Sequence, residues 1–208
     1  MLDLILPKQC GGCGAVATGW CDACTDDLTV ADDQPHLITP RLDPGVPVLS
    51  LGRYAGARRN AIVAVKEHGR TDLRRPLADA LRAGLDHLLT WGVLAAPLTL
   101  VPAPTRRTAA RRRGGDPVTH IATQAARPPD QSVATVLRFR AFTRDSVGLS
   151  SAARQRNVAG RVVLTRPVAG PVVVVDDVVT TGATVTESVR VLQTAGIDVV
   201  AVLALANA

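Results

Sequence analysis

The sequence predicts an α/β fold, in which a mainly parallel sheet is flanked by helices and preceded by a small cysteine-containing module. The strongest observation is the β-branched run at residues 172–175, which is typical of a strand buried on both faces of a parallel sheet. A helix-like segment and a second apolar run at residues 199–205 follow it, and this order indicates a right-handed βαβ unit. All four cysteines lie before residue 25, outside the α/β part.

The N-terminal half passes from the cysteines through a connector to two predicted helices. Residues 31–47 are polar and rich in proline, which is typical of a connector. The apolar stretch at residues 48–54 predicts a strand. Residues 57–68 and 72–89 carry apolar side chains at helical spacing, and each is therefore predicted to be a helix with one buried face.

The C-terminal half alternates predicted strands and helices. Strands are expected at residues 98–101 and 133–139, on either side of a helix at residues 116–126. The polar, arginine-rich segment at residues 146–160 is interpreted either as a helix that closes over a bound ligand or as a surface helix. The last helix is expected to stop at Gly196, because glycine suits the position after a helix.

Composition limits the possible classes of protein. A chain of 208 residues holds one sizeable domain and a small appendage, and we expect a module with its linker at residues 1–45 and an α/β domain at residues 46–208. Hydrophobic content of 47% with 20% charged residues indicates a globular chain. No apolar run is long enough to span a bilayer, and the short N-terminal apolar stretch does not resemble a signal peptide. A cytoplasmic protein is expected.

The net charge of +6 favours an anionic ligand or nucleic acid as a partner. All but two of the 24 basic residues are arginines, a bias that GC-rich coding also produces. The charge therefore supports an anionic partner only in combination with a specific motif.

The acidic pair Asp176 and Asp177, at the end of the apolar run, begins the principal functional motif. Val178 and Val179 follow as further candidate binding residues, and then comes a small, hydroxyl-rich loop, which consists of Thr180, Thr181, Gly182, Ala183 and Thr184. Its N–H groups and hydroxyls are expected to meet the positive end of the next helix, where phosphate binds. Carboxylates beside a phosphate cradle accept hydrogen bonds from sugar hydroxyls. The motif thus predicts a ribose 5-phosphate site, and it matches neither the Walker A nor the Rossmann pattern.

A second candidate loop follows the predicted strand at residues 98–101. It begins Pro102, Ala103, Pro104 and continues into an arginine-rich stretch that includes Arg107. Ligands of open α/β sheets bind at the carboxyl ends of strands, so this loop is predicted to face the acidic pair. Backbone N–H groups and a guanidinium there suit pyrophosphate. The alternative is a solvated basic loop that contacts nucleic-acid phosphates.

Lys66, near the end of the first predicted helix, is the third candidate because lysine is otherwise almost absent. It is placed to neutralise a phosphate. A solvated lysine at a helix C-terminus, favoured by the helix dipole, is the alternative.

The cysteines form two CxxC pairs, Cys10 with Cys13 and Cys21 with Cys24. Paired knuckles of this kind place four thiolates around a zinc ion. Two redox-active pairs are the alternative, which the expected reducing compartment and the lack of a surrounding βαβ pattern disfavour. We interpret the cysteines as ligands of a structural zinc with no catalytic role.

The stretch at residues 172–184 resembles, at every position, the phosphoribosyl pyrophosphate (PRPP) signature of type I phosphoribosyltransferases. The whole chain resembles the ComF family of competence-associated, phosphoribosyltransferase-like proteins. In chain order, this wider resemblance rests on the paired CxxC knuckles, Lys66 with Gly69, the Val101-Pro102 strand end before Arg113-Gly114, the segment with Leu149, Ser150, Arg154 and Asn157, and the PRPP loop.

The resemblance implies a type I phosphoribosyltransferase fold that binds PRPP with Mg²⁺. It implies that the loop from Thr180 to Thr184 holds the 5-phosphate, that Asp176 and Asp177 bind the ribose, and that the loop from Pro102 holds pyrophosphate. Two functions follow as alternatives: transfer of ribose 5-phosphate with release of pyrophosphate, or PRPP binding without turnover by a factor that handles single-stranded DNA with the DNA-uptake machinery.

Overall fold

The computed structural model describes residues 8–105, 115–140 and 160–208. The strands within these ranges are β1 (His36–Ile38), β2 (Val48–Ser50), β3 (Leu98–Pro102), β4 (Gln131–Val133), β5 (Leu137–Phe139), β6 (Val162–Leu164), β7 (Val172–Val179) and β8 (Val199–Asn207). The α-helices are α1 (Asp22–Leu28), α2 (Gly56–Glu67), α3 (Arg74–Thr90), α4 (Pro117–Ala125) and α5 (Ala183–Thr194), and a 3₁₀ turn at Thr71–Leu73 precedes α3.

A six-stranded sheet in the order β1-β2-β8-β7-β3-β4 forms the centre of the fold. Every neighbouring pair is parallel except β1 and β2. The valines of residues 172–175 on β7 are each 0% exposed, because β7 lies between β8 and β3 and is covered on both faces. The prediction of an α/β fold with a mainly parallel sheet is confirmed.

Helices bury one face of the sheet, and a helix with a second, small sheet buries the other. On one face, α2, α3 and α4 pack against alternate strand residues that include Val173, Val175 and Leu203. On the other, α5 and the two-stranded antiparallel sheet of β5 and β6 pack against Val172 and Val174. This alternation follows from the period of two in a strand.

Strand β7 runs past the point at which the sequence predicted its end. It includes the acidic pair and stops at Val179, because β8 pairs with it as far as Asn207. The acidic side chains are therefore held by a paired strand rather than by a loop.

Two further predictions differ from the structure. The single strand expected at residues 133–139 is two strands in different sheets, because the chain turns away from β3 at Ala134, whose N–H group is the last to bond Leu100. The connector at residues 31–47 contains the edge strand β1. The segment at residues 146–159 and the arginines at residues 106–113, including Arg107, lie outside the described residues.

None of the helices within the described ranges is both long and apolar enough to cross a bilayer.

Candidate functional site

The ends of β3 and β7 bring the two predicted loops together. Pro102 is the register partner of Val175, and the Ala103 N–H group donates to the Val175 carbonyl at 2.7 Å. The segment from Pro102 to Pro104 therefore lies directly beside Asp176. The predicted proximity of these loops at the carboxyl end of the sheet is what the parallel pairing of β3 and β7 produces.

Lys66 lies at the acidic pair. Its Nζ is 2.7 Å from Oδ2 of Asp177, whose side chain is 9% exposed, whereas the Lys66 side chain is 35% exposed. Oδ1 of Asp177 accepts from the Val178 N–H group at 2.7 Å, and Oδ1 of Asp176 accepts from the Asp177 N–H group at 2.8 Å. Helix α2 thus delivers one cation to two neighbouring carboxylates.

The surroundings of the cluster shift the pKa values of Asp176 and Lys66. Burial and the negative charge of Asp177 raise the pKa of Asp176 well above its ordinary value, against the opposing effects of Lys66 and the Asp177 N–H group. Burial would lower the pKa of Lys66, but the carboxylates of Asp177 and Asp176 and the phenol of Tyr54 raise it, and the net shift is upward. Clustered carboxylates with a shifted pKa at a strand end are typical of functional sites.

The loop after β7 enters α5 through Gly182. Gly182 is the N-cap of α5 and has a φ of 84°, a left-handed conformation that favours glycine. A Cβ atom at this position would lie 2.6 Å from the Leu42 carbonyl oxygen. The first helical bond runs from the Thr186 N–H group to the Gly182 carbonyl, so the N–H groups just before Thr186 start the helix, where anions bind.

The connector crosses this loop, which the sequence did not predict. The Leu42 N–H group donates to the Thr181 carbonyl at 2.9 Å, and the Leu42 carbonyl accepts from the Thr186 hydroxyl at 3.1 Å. The contact joins residues more than 130 positions apart, and no local pattern in the sequence encodes such a partner.

Asp116 anchors the described part of the other loop. Its carboxylate accepts from the Thr105 hydroxyl at 2.8 Å and caps α4 through the Val118 N–H group and the Thr119 hydroxyl. The Asp-Pro pair at the start of α4 is a recognisable helix-start signal, but its link to Thr105 was missed. This link ties together the two chain ends that flank residues 106–114.

The four cysteines meet in one cluster at the N-terminus. Their sulfur atoms all lie within 4.8 Å of one another, and the shortest separations, from Cys10 to Cys21 and Cys24 and from Cys13 to Cys21, are 3.6 Å. Four sulfur ligands about 2.3 Å from a tetrahedral zinc ion lie roughly 3.8 Å apart. The cysteines are free thiols rather than disulfides, and their arrangement fits a metal ion such as zinc.

The backbone around Cys10 favours a thiolate. Burial would raise the pKa of Cys10, but the N–H groups of Cys13, Gly12 and Cys21 face its sulfur and lower the pKa to about 6. The thiolate is the form that binds metals. The backbone N–H groups of the knuckle therefore stabilise the thiolate form of Cys10 that a metal ion requires.

A cavity of about 390 Å³ lies elsewhere, between the cysteine module and α3. Trp20, Leu28 and Val30 line one side, and Pro76, Ala80 and Ala83 line the other. None of its lining residues belongs to either predicted loop or to the acidic pair.

No protein-family model matches the chain, and no curated protein matches it.

Proposed function

We propose that this chain is a ComF-type protein with the fold of the type I phosphoribosyltransferases, and that it binds PRPP with Mg²⁺ at the carboxyl end of β7. The observation that carries the proposal is the order of features along and beside this strand. An acidic pair, a loop that enters a helix through Gly182, and the adjoining segment from Pro102 to Pro104 occupy one edge of the sheet. PRPP presents a matching set of groups: a diol, a 5-phosphate and a pyrophosphate.

Each part of the ligand has a partner in this proposal. The loop from Thr180 to Thr184 holds the 5-phosphate with N–H groups and hydroxyls at the start of α5. Asp176 and Asp177 accept hydrogen bonds from the ribose hydroxyls. The loop that begins with Pro102, Ala103 and Pro104 holds pyrophosphate through Arg107, because the two prolines have no N–H group and the Ala103 N–H group is bonded to Val175. A bound Mg²⁺ would offset the negative charge of the pyrophosphate.

The reaction we propose is transfer of ribose 5-phosphate to a nucleophile with loss of pyrophosphate. Little covalent chemistry is required of the protein, because positioning and charge stabilisation of an oxocarbenium-like state supply most of the acceleration. Lys66 pairs with Asp177 and orients its carboxylate towards the sugar.

Calorimetry with PRPP and Mg²⁺ on the wild type and on Asp177→Asn tests this proposal. We expect the substitution to weaken PRPP binding by at least tenfold, since it removes a charged partner worth about 1.5–3 kcal/mol. The matched control is Asp198→Asn, an exposed residue at the opposite end of the same sheet, which should bind PRPP like the wild type. Unchanged affinity in Asp177→Asn would refute the assignment.

A pyrophosphate-release assay across candidate nucleophiles then separates the two functions. Release that depends on an acceptor supports transfer. PRPP binding without release supports the non-catalytic alternative, and a salt titration with single-stranded DNA then shows whether this chain contacts nucleic acid.

A further inference from the structure

We propose that metal loading of the four-cysteine cluster sets the affinity of the candidate site for its sugar phosphate, and that α2 transmits the effect. The ligand named here rests on the proposed function. The mechanical part of the inference rests on contacts that hold α2 between the cysteine cluster and Asp177.

The start of α2 depends on the cysteine module. The N-cap residue Ala55 makes no side-chain capping bond. Instead, Asp27 on α1 accepts from the Ala57 N–H group at 2.9 Å. Arg58 is 5% exposed and donates both to the Leu28 carbonyl of α1 and to the Leu205 carbonyl of β8. The module therefore supplies the cap that α2 lacks.

Two side chains on either side of Lys66 tie this segment to the knuckles themselves. Asn60 donates to the Gly12 carbonyl at 2.6 Å. Arg70 donates to the Gln9 and Gly19 carbonyls at 3.1 and 3.0 Å. All three acceptors lie within two residues of a cysteine of the cluster.

Arg70 is in turn rigidly connected to α2. Its N–H group donates to the Ala64 carbonyl in the last turn of the helix, and Asp72 holds its guanidinium through two bonds of 2.9 and 2.7 Å. Lys66 therefore lies between Asn60 and Arg70, the two residues that bond the cysteine module. The carbonyl groups that accept these bonds keep their positions only while the knuckles are closed. A metal ion closes the knuckles because it bonds all four sulfur atoms at once. Without it, only weak contacts of the sulfur atoms and the bond from the Gly11 N–H group to the Gly19 carbonyl are seen to join them directly within the described residues.

Loss of the metal releases these carbonyls, loosens the end of α2 and weakens the Lys66–Asp177 pair at the site. Asn60 and Arg70 are positioning residues in this scheme, since neither contacts the acidic pair. In this scheme the metal ion takes no part in the reaction, but its presence strengthens the binding of the sugar phosphate.

The test compares metal-loaded protein with protein treated with a chelator, in the wild type and in Lys66→Met. Hydrogen exchange is followed at the amides of residues 64–70, and PRPP affinity is measured with Mg²⁺ added back. In the wild type, metal removal should speed exchange at these amides, leave the β7 and β8 amides protected, and weaken PRPP binding roughly tenfold, a typical coupling between sites. In Lys66→Met, metal removal should change affinity by less than about twofold, because the transmitted contact is already absent.

Variants that leave the cysteines intact provide an independent test should metal removal unfold the whole chain. Asn60→Ala and Arg70→Gln, both metal-loaded, should weaken PRPP binding several-fold. Arg75→Gln, at an exposed arginine on α3, is the matched control and should bind like the wild type. Wild-type affinity in both Asn60→Ala and Arg70→Gln would overturn the inference, as would an equal effect of metal removal in the wild type and Lys66→Met.

If the proposed function is wrong, the same experiments give a different result. If metal-loaded wild type binds no PRPP, the ligand is wrong, and the exchange data alone decide the mechanical coupling. Unchanged exchange at residues 64–70 after metal removal would then refute it.

Discussion

The Lys66–Asp177 pair predicts an asymmetry between two single substitutions. Replacement of Lys66 by methionine removes the ammonium group that pairs with Asp177, whose side chain is 9% exposed and lies next to Asp176. Replacement of Asp177 by asparagine leaves Lys66, whose side chain is 35% exposed and can turn towards water. The first change therefore creates a buried, unpaired charge and the second does not.

The expected magnitudes follow from this difference in burial. Removing one partner of a fully buried pair costs about 3–5 kcal/mol, whereas exposed pairs contribute only about 0.2–1 kcal/mol. We expect Lys66→Met to lower the free energy of unfolding by about 2–4 kcal/mol and Asp177→Asn by about 1 kcal/mol. The double variant should be more stable than Lys66→Met alone, because the unpaired carboxylate is gone.

The pH dependence has a defined sign. Lys66 lowers the pKa of Asp176, so its loss raises that pKa further. A carboxyl group with a raised pKa in the folded state stabilises the fold at low pH, and this stability is lost as pH rises through the folded-state pKa. The loss in the free energy of unfolding caused by Lys66→Met should therefore be larger at pH 8 than at pH 5. Urea unfolding of the zinc-loaded proteins at both pH values measures it. A loss in Asp177→Asn as large as that in Lys66→Met, or a deficit independent of pH, would refute the reasoning.

Three further predictions concern the site and its loops. Asp176→Asn should raise the melting temperature at pH 7, because the buried carboxyl group no longer has to ionise. The increase should be about 2–4 °C for each kcal/mol of stability gained, while PRPP binding should weaken. A lowered melting temperature would contradict the raised pKa of Asp176. Gly182→Ala should destabilise the protein by more than Gly170→Ala, since both glycines have a positive φ but only the first has backbone within 3 Å of the new Cβ; equal losses in thermal unfolding would exclude the clash. Asp116→Ala should cost about 1–2 kcal/mol through the lost cap of α4, and Thr105→Val should cost less, as urea unfolding would show; equal costs would argue against the capping role.

Local sequence patterns predicted those structural features that are determined by residues close together in the chain. The valine run before Asp176 is apolar on both faces and could only be a central strand, and Gly196 ended α5 as a left-handed residue with a φ of 76°. The two CxxC knuckles also assembled as their spacing predicted. In each case the physical cause lies within a few residues of its effect.

Contacts between distant residues were not predictable in the same way. The extension of β7 to Val179 depends on its pairing with β8 up to Asn207. The contact of Leu42 with Thr181 and the arrival of Lys66 at Asp177 depend on how the whole fold brings three separate segments together. A single sequence specifies these partners only through the complete packing, so Lys66 was recognised as unusual without its partner being known.

Hydrogen exchange with bound PRPP tests most directly whether PRPP binds at the carboxyl ends of β7 and β3. Exchange is compared in the metal-loaded protein alone, with PRPP and Mg²⁺, and with pyrophosphate and Mg²⁺. We expect PRPP to protect the amides of residues 180–185 and the amide of Thr105, pyrophosphate to protect only the Thr105 amide, and neither ligand to affect amides at the exposed end of α3. Thr105 is the informative amide of its loop, because Pro104 has no N–H group and the Ala103 N–H group is already bonded to Val175. PRPP that leaves residues 180–185 unprotected at saturating concentration would contradict the account.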